Sequence, residues 1–171
     1  MTALDRLKSA GPEFEWSEVA SADGAPCIEV APESWHGLIS TLRDLCGMET
    51  VVFLTAVDRS PAEPRFELNA QLLSVTHGDR LRARCKLSGE DPCVRTVTDL
   101  FPGAAYAERE CFDMFGVRFE GHEDLKRLLM PEGYGHFPLR KEFPHQGIEP
   151  DRLYRDWERG RRAERTEGAQ R

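Results

Sequence analysis

No stretch of the sequence approaches the roughly 20 consecutive apolar residues that a membrane-spanning helix requires. The first residues, Met1-Thr2-Ala3-Leu4-Asp5-Arg6, lack the apolar segment of a secretory signal. A cytosolic domain is therefore expected, with any membrane association made through a partner. Basic charge is also short: 23 Lys and Arg stand against 30 Asp and Glu, giving −7. Neutralising a phosphate backbone needs a basic face, so bulk nucleic-acid binding is not expected. Cysteine is sparse. Cys27, Cys46, Cys85, Cys93 and Cys111 are odd in number and form no CxxC pair. Zinc and iron–sulfur sites usually show close Cys or His spacing, so reduced, mostly buried thiols are expected instead. Gly-rich phosphate loops are missing, as are GxSxG, HExxH and EF-hand patterns.

What is present suffices for one domain with a tail, or at most two small ones. Thr2 to Ala10 reads as a short helix stopped by Gly11-Pro12, and Cys27 to Val30 as a strand. After Pro32, the residues Trp35, Leu38, Ile39, Leu42 and Leu45 share one helical face, with Gly47 at its end. Thr50 to Val57 is β-branched and nearly continuous, as in a buried strand. Phe66, Leu68, Ala70 and Leu72 alternate with polar residues, as do Leu81, Ala83, Cys85 and Leu87 beyond the turn Thr76 to Asp79. These predict a half-buried hairpin. Asp91-Pro92 is expected to cap a second helix through Phe101, with Val94, Val97, Leu100 and Phe101 inward and Pro102-Gly103 as its stop. A third helix is predicted from about Tyr106 to Phe115, ending at Gly116. Arg127 to Met130 is expected to form a short strand.

Chemistry-bearing residues concentrate between Glu108 and His122. On a helix, Arg109 and Asp113 stand at i and i+4, a spacing for an ion pair worth about 0.3–0.5 kcal/mol when exposed. Glu110 and Asp113 stand at i and i+3; paired carboxylates can perform acid–base work, but a solvated or salt-bridged face is the plainer reading. Phe112, Phe115 and Phe119 are too many large apolar groups for a wholly exposed segment. Besides a site assembled from distant cysteines, the metal alternative is zinc or iron on His122, His136 and His145 with Glu123, Asp124 and Glu142. Its histidine spacings of 14 and 9 match no common ligand pattern.

The run Glu108-Arg109-Glu110-x-x-Asp113-Met114-Phe115-Gly116-Val117-x-Phe119-x-Gly121-His122-x-Asp124-Leu125-x-Arg127-Leu128-Leu129 resembles the signature of the 30-kDa, or C-type, subunit of respiratory complex I. Pro138-Leu139-Arg140-Lys141-Glu142-Phe143-Pro144 resembles its second half, and Val94 to Pro102 the helix before it. Three positions depart from that pattern: Glu123 replaces a usual proline, Glu142 a usual aspartate, and His136-Phe137 a glycine and a variable residue. The resemblance implies an α+β fold: a small mixed β-sheet with flanking helices over residues 1–137, then a long extended C-terminal docking arm over 138–171. It implies a non-catalytic subunit of the proton-translocating NADH:quinone (ubiquinone) oxidoreductase of the respiratory electron-transport chain. Such a subunit supports assembly and docks onto the 49-kDa quinone-site subunit. No cofactor is expected in this chain; FMN and iron–sulfur clusters belong to partner subunits. The expected location is peripheral, at the cytoplasmic face of a bacterial inner membrane. The signature residues expected to serve that interface are Glu108, Arg109, Glu110, Asp113, Phe115, Gly116, His122, Arg127, Pro138, Arg140, Lys141, Phe143 and Pro144. Some relatives are fused to the next subunit; an unfused form is expected here.

The same resemblance admits a second host, a related membrane-bound hydrogenase or ferredoxin-fed complex. The tail fits docking in either. From Asp151 it carries seven arginines and five acids around Leu153, Tyr154 and Trp157. Such a segment cannot bury a core of its own, so it is expected to be mobile alone and ordered on a partner. Arg140 and Lys141, adjacent cations after a proline, are expected to meet carboxylates of another surface.

Overall fold

The computed structural model describes residues 1–21, 23–147, 155 and 158–160. Leu153, Tyr154 and Trp157 lie outside the described residues. Helix α1 (Ala3–Ala10) starts at a Thr2–Asp5 capping box and ends on Gly11 in the left-handed region. Strands β1 (Trp16–Glu18) and β2 (Cys27–Val30) are antiparallel. A short 3₁₀ turn (Pro32–Ser34) leads into α2 (Trp35–Asp44). Three nine-residue strands follow: β3 (Thr50–Asp58), β4 (Phe66–Ser74) and β5 (Asp79–Leu87). The sheet order is β1-β2-β5-β4-β3, with β2 parallel to β5 and the other pairs antiparallel. This is the mixed sheet with flanking helices that was expected.

The apolar spacing of α2 explains the layer. Trp35, Leu38, Ile39 and Leu42 are fully buried and join Ile28, Leu68, Leu72, Leu81 and Cys85 of the sheet in one core. Each such burial contributes about 1.5–3 kcal/mol. Leu45 departs from that face: the helix ends at Asp44, Leu45 is exposed, and Gly47 turns the chain at φ +65°. The thiols of Cys27, Cys46, Cys85 and Cys111 are buried and Cys93 is half-buried. Burial pushes Cys85 and Cys111 up to about 12.

Four expectations need correction. Strand β3 is an edge strand rather than a doubly buried one, with a bulge between Val51 and Phe53 that leaves Val52 and Phe53 exposed. Strand β4 is covered on both faces: Glu67, Asn69 and Gln71, opposite its apolar set, are also buried. The reason is lateral, because Arg59, Arg82 and Arg84 lie over them with hydrogen bonds or ion pairs to Glu67 and Gln71. The helix expected over 92–101 is instead a strand, β6 (Cys93–Arg95), followed by a tight turn at Val97 to Phe101. Strand β6 runs parallel to β7 (Arg118–Glu120), with Val94 opposite Phe119. One inward strand residue plus one turn satisfies the same apolar spacing as a helix, and the backbone pairing partner lies more than 20 residues away. Pro102-Gly103 therefore introduces α3 (Ala104–Phe115) rather than ending a helix. The fourth correction is Arg127 to Met130, which forms no strand; its amides serve a different acceptor, described next.

Candidate functional site

Helix α3 packs along β3 and turns Ala104, Glu108, Cys111 and Phe115 inward, one helical face. Glu108 on that face is fully buried. It accepts from the Thr96 hydroxyl (2.5 Å) and the Val97 amide (2.8 Å), both in the segment after β6. Burial raises its carboxyl above the ordinary value, against the pull of those bonds.

The C-terminal end of α3 organises the rest. A helix leaves its last four carbonyls without internal partners, and the end carries partial negative charge. Here all four are satisfied. The Phe112 oxygen accepts from Gly116 N–H (2.9 Å) and the Asp113 oxygen from Arg127 Nη1 (3.1 Å). The Met114 oxygen accepts from Leu139 N–H (3.1 Å) and the Phe115 oxygen from Arg140 Nε (2.6 Å). Two arginines thus sit where the dipole favours cations. Gly116 permits this. It stands at φ +78°, and an added Cβ would lie 2.5 Å from Arg140 Nη2 and 2.8 Å from the Phe137 ring. The Phe137 ring is shared by both guanidinium groups, 5.3 Å from Arg127 and 4.3 Å from Arg140.

Two buried carboxylates hold the returning chain. Asp113 accepts from the amides of Leu128 (3.0 Å), Leu129 (2.7 Å) and Met130 (2.8 Å), and from Arg127 Nη1 (2.7 Å). Burial pushes its carboxyl up, but these donors outweigh burial and hold it below the ordinary value. Asp58, at the end of β3, accepts a bidentate pair from Arg65 and one bond each from the Ser60 and Lys141 amides. The Arg65 guanidinium holds it far below the usual range. Arg65 also bonds Glu142.

The remaining signature residues are distributed around this core. Arg109 donates to the carbonyls of Lys126 (3.1 Å) and Arg127 (3.0 Å), not to Asp113 as the i, i+4 spacing suggested. Glu110 is exposed. His122 Nε2 faces the Ala105 carbonyl (3.3 Å) while Nδ1 accepts the Asp124 amide (3.1 Å), a pattern that places the proton on Nε2. Phe143 meets the His136 ring edge-on, Pro144 and the Lys141 side chain are exposed, and Pro138 is half-buried. Arg140 is engaged within the chain rather than offered outward. Among the described residues, no group of three His, Cys, Asp or Glu is placed to hold a metal, so His122, His136 and His145 do not converge.

The family described as respiratory-chain NADH dehydrogenase, 30 Kd subunit, matches residues 28–149. The chain belongs to this family. It is 42% identical over 128 residues to the NADH-quinone oxidoreductase C-subunit of Ruegeria sp. (strain TM1040), covering 74% of this chain and 63% of that protein. The chain thus spans about three fifths of the length of that relative. It is 37% identical over 151 residues to the NADH-quinone oxidoreductase C-subunit of Agrobacterium fabrum, covering 85% of this chain and 75% of that one. A solved trypsin-resistant fragment of Nqo5 superposes with a TM-score of 0.61 at 27% identity, over 72% of this chain and 100% of the fragment.

In this 30-kDa family member, the signature residues Asp113, Phe115, Gly116, Arg127 and Arg140 are brought together around the C-terminal end of α3, while Glu108, Glu110 and His122 lie elsewhere along it. Sequence reasoning missed Asp58, Arg65 and Thr96. Each lies outside the signature and meets it only in space, so no local pattern marks them.

Proposed function

We propose that this chain is a non-cofactor-bearing subunit of the peripheral arm of a proton-translocating NADH:quinone oxidoreductase. It supports assembly and docks onto the 49-kDa-type quinone-site subunit at the cytoplasmic face of the inner membrane. The observation that carries this reading is the capped end of α3. Asp58, Glu108 and Asp113 are each buried and engaged by internal donors. Carboxylates used in this way position backbone, which is a structural use rather than proton transfer to a substrate. The result is a braced platform that displays Leu129 and Leu139, both exposed large apolar residues beside anchored amides. Identity to NADH-quinone oxidoreductase subunits favours this host over a hydrogenase-type complex. The docking arm is residues 138–171, and its first residues, Leu139 to Lys141, are anchored to Met114, Phe115 and Asp58 of the platform.

The test is isolation of the tagged full chain from its native membranes. Co-purification with a 49-kDa-type subunit and NADH:quinone activity is expected, and the chain expressed alone should be colourless and free of iron, zinc and flavin. Stoichiometric metal or flavin in the lone chain, or its absence from any such complex, would overturn the proposal.

A further inference from the structure

The sheet has a second face, turned away from α2. On it the register sets Phe53 beside Gln71 and Arg82, and Thr55 beside Asn69 and Arg84. Strand β5 contributes four cations to this side, at Arg80, Arg82, Arg84 and Lys86, and Arg59 reaches over from the end of β3. Three carboxylates answer these five: Asp23 on Arg82, Glu29 on Arg84 and Lys86, and Glu67 on Arg59. Arg80 is exposed and has no carboxylate among the described residues. In a chain of net charge −7, this is a local excess of positive charge.

The face is also preorganised. Glu67, Asn69 and Gln71 are each less than 10% exposed although no helix of the described residues packs on them. The ion-pair lattice fixes their neighbours, so the surface is presented without further ordering cost. At its centre the Gln71 side-chain amide nitrogen is buried and has no acceptor among the described residues. A buried donor without a partner is rare in a finished surface.

We propose that this face is a second docking surface of the chain, and that its occupant is a carboxylate-bearing protein surface of another subunit of the host complex. Rim carboxylates of the partner pair with Arg80 and Lys86. A carbonyl or carboxylate of the partner accepts from Gln71, and Phe53 at the strand edge meets its apolar margin. The inference rests on membership in a complex and adds a contact on the side opposite the core layer.

Amine labelling and carbodiimide cross-linking of the full chain, alone and within the purified complex, test this directly. Lys86 is the reporter. In the complex its labelling should fall about 10-fold relative to the free chain, and carbodiimide should join it to an Asp or Glu of a different subunit. The double charge reversal Arg80→Glu with Lys86→Glu should lower incorporation by a similar factor. Arg80→Gln with Lys86→Gln should lower it less and keep the thermal midpoint of the free chain, whereas the reversal sets a carboxylate against Glu29 and its fold is checked by the same melt. If the reversal variant fails to fold, the labelling of the wild-type complex decides alone. Equal labelling of Lys86 in both states would overturn the proposal. So would cross-links only to a second copy of this chain, or capture of the free chain by phosphatidylglycerol vesicles through these cations with Lys86 unprotected in the complex. Failure to co-purify at all is a separate readout, which overturns the host assignment and this inference with it.

Discussion

Glu108 and Asp113 lie on one helix, both fully buried, yet their surroundings shift them in opposite directions. Burial raises Glu108 above its unfolded value. The native state therefore binds the extra proton between those two values, and stability declines as pH rises through that window. At neutral pH the charged form carries the full penalty. Glu108→Gln keeps an oxygen for the Val97 amide and offers an N–H to Thr96, so its stability at pH 7 should equal or exceed wild type. Its advantage should vanish as pH falls into the ordinary carboxylate range. Glu108→Ala should instead lose about 1–3 kcal/mol, because the Thr96 hydroxyl and Val97 amide lose their acceptor. Denaturant melts across pH check both, and a glutamine variant as damaged as the alanine one would contradict the assignment. Asp113 has the opposite sign. Its donors depress its pKa, so its contribution is complete above the unfolded value and is lost as pH falls through the folded one. Asp113→Asn leaves Arg127 and the amides of Leu128 to Met130 facing an amide, and should cost about 3–5 kcal/mol at pH 7 in the same melts. A loss below 1 kcal/mol, on the order of a surface pair, would contradict a buried anchor.

At the level of elements, α3 owes its end to residues that follow it in the chain. Gly116→Ala introduces a side chain at φ +78° and pushes against Arg140 and Phe137. It should cost about 1–3 kcal/mol and speed hydrogen exchange at the Leu139 and Lys141 amides. Unchanged exchange there would show that the cap does not depend on this close approach. The sequence made α2 and the β4–β5 hairpin legible, because their apolar periods are local: Trp35 to Leu42, and the alternation from Phe66 to Leu87; α3 was legible with its stop at Gly116. It misled over Cys93 to Phe101, where Val94, Val97 and Phe101 fit a helix by spacing. Pairing of β6 with β7 decided the outcome, and such long-range pairing leaves no periodic trace. The burial of Asp113 was hidden for a related reason. An Asp on an amphipathic helix reads as solvated until Leu128, Leu129 and Met130 are known to donate to it.

For the whole molecule, the capped helix yields a braced platform with a continuation. The residues from Leu139 to Lys141 return to α3 and β3, through Met114 and Asp58. Truncation after Pro144 should therefore leave the thermal midpoint of the domain nearly unchanged while reducing incorporation into the complex. A midpoint drop of more than about 5 °C would assign the removed segment to the domain itself. In the proposed function, the signature braces a docking platform and takes no part in chemistry. Arg109→Ala tests this most directly, because Arg109 holds the carbonyls of Lys126 and Arg127 without touching either buried carboxylate. The measurement is NADH:quinone turnover divided by the amount of complex assembled in membranes from the variant. Less assembled complex with turnover per complex unchanged is the expected result; normal assembly with collapsed turnover would contradict a purely bracing role.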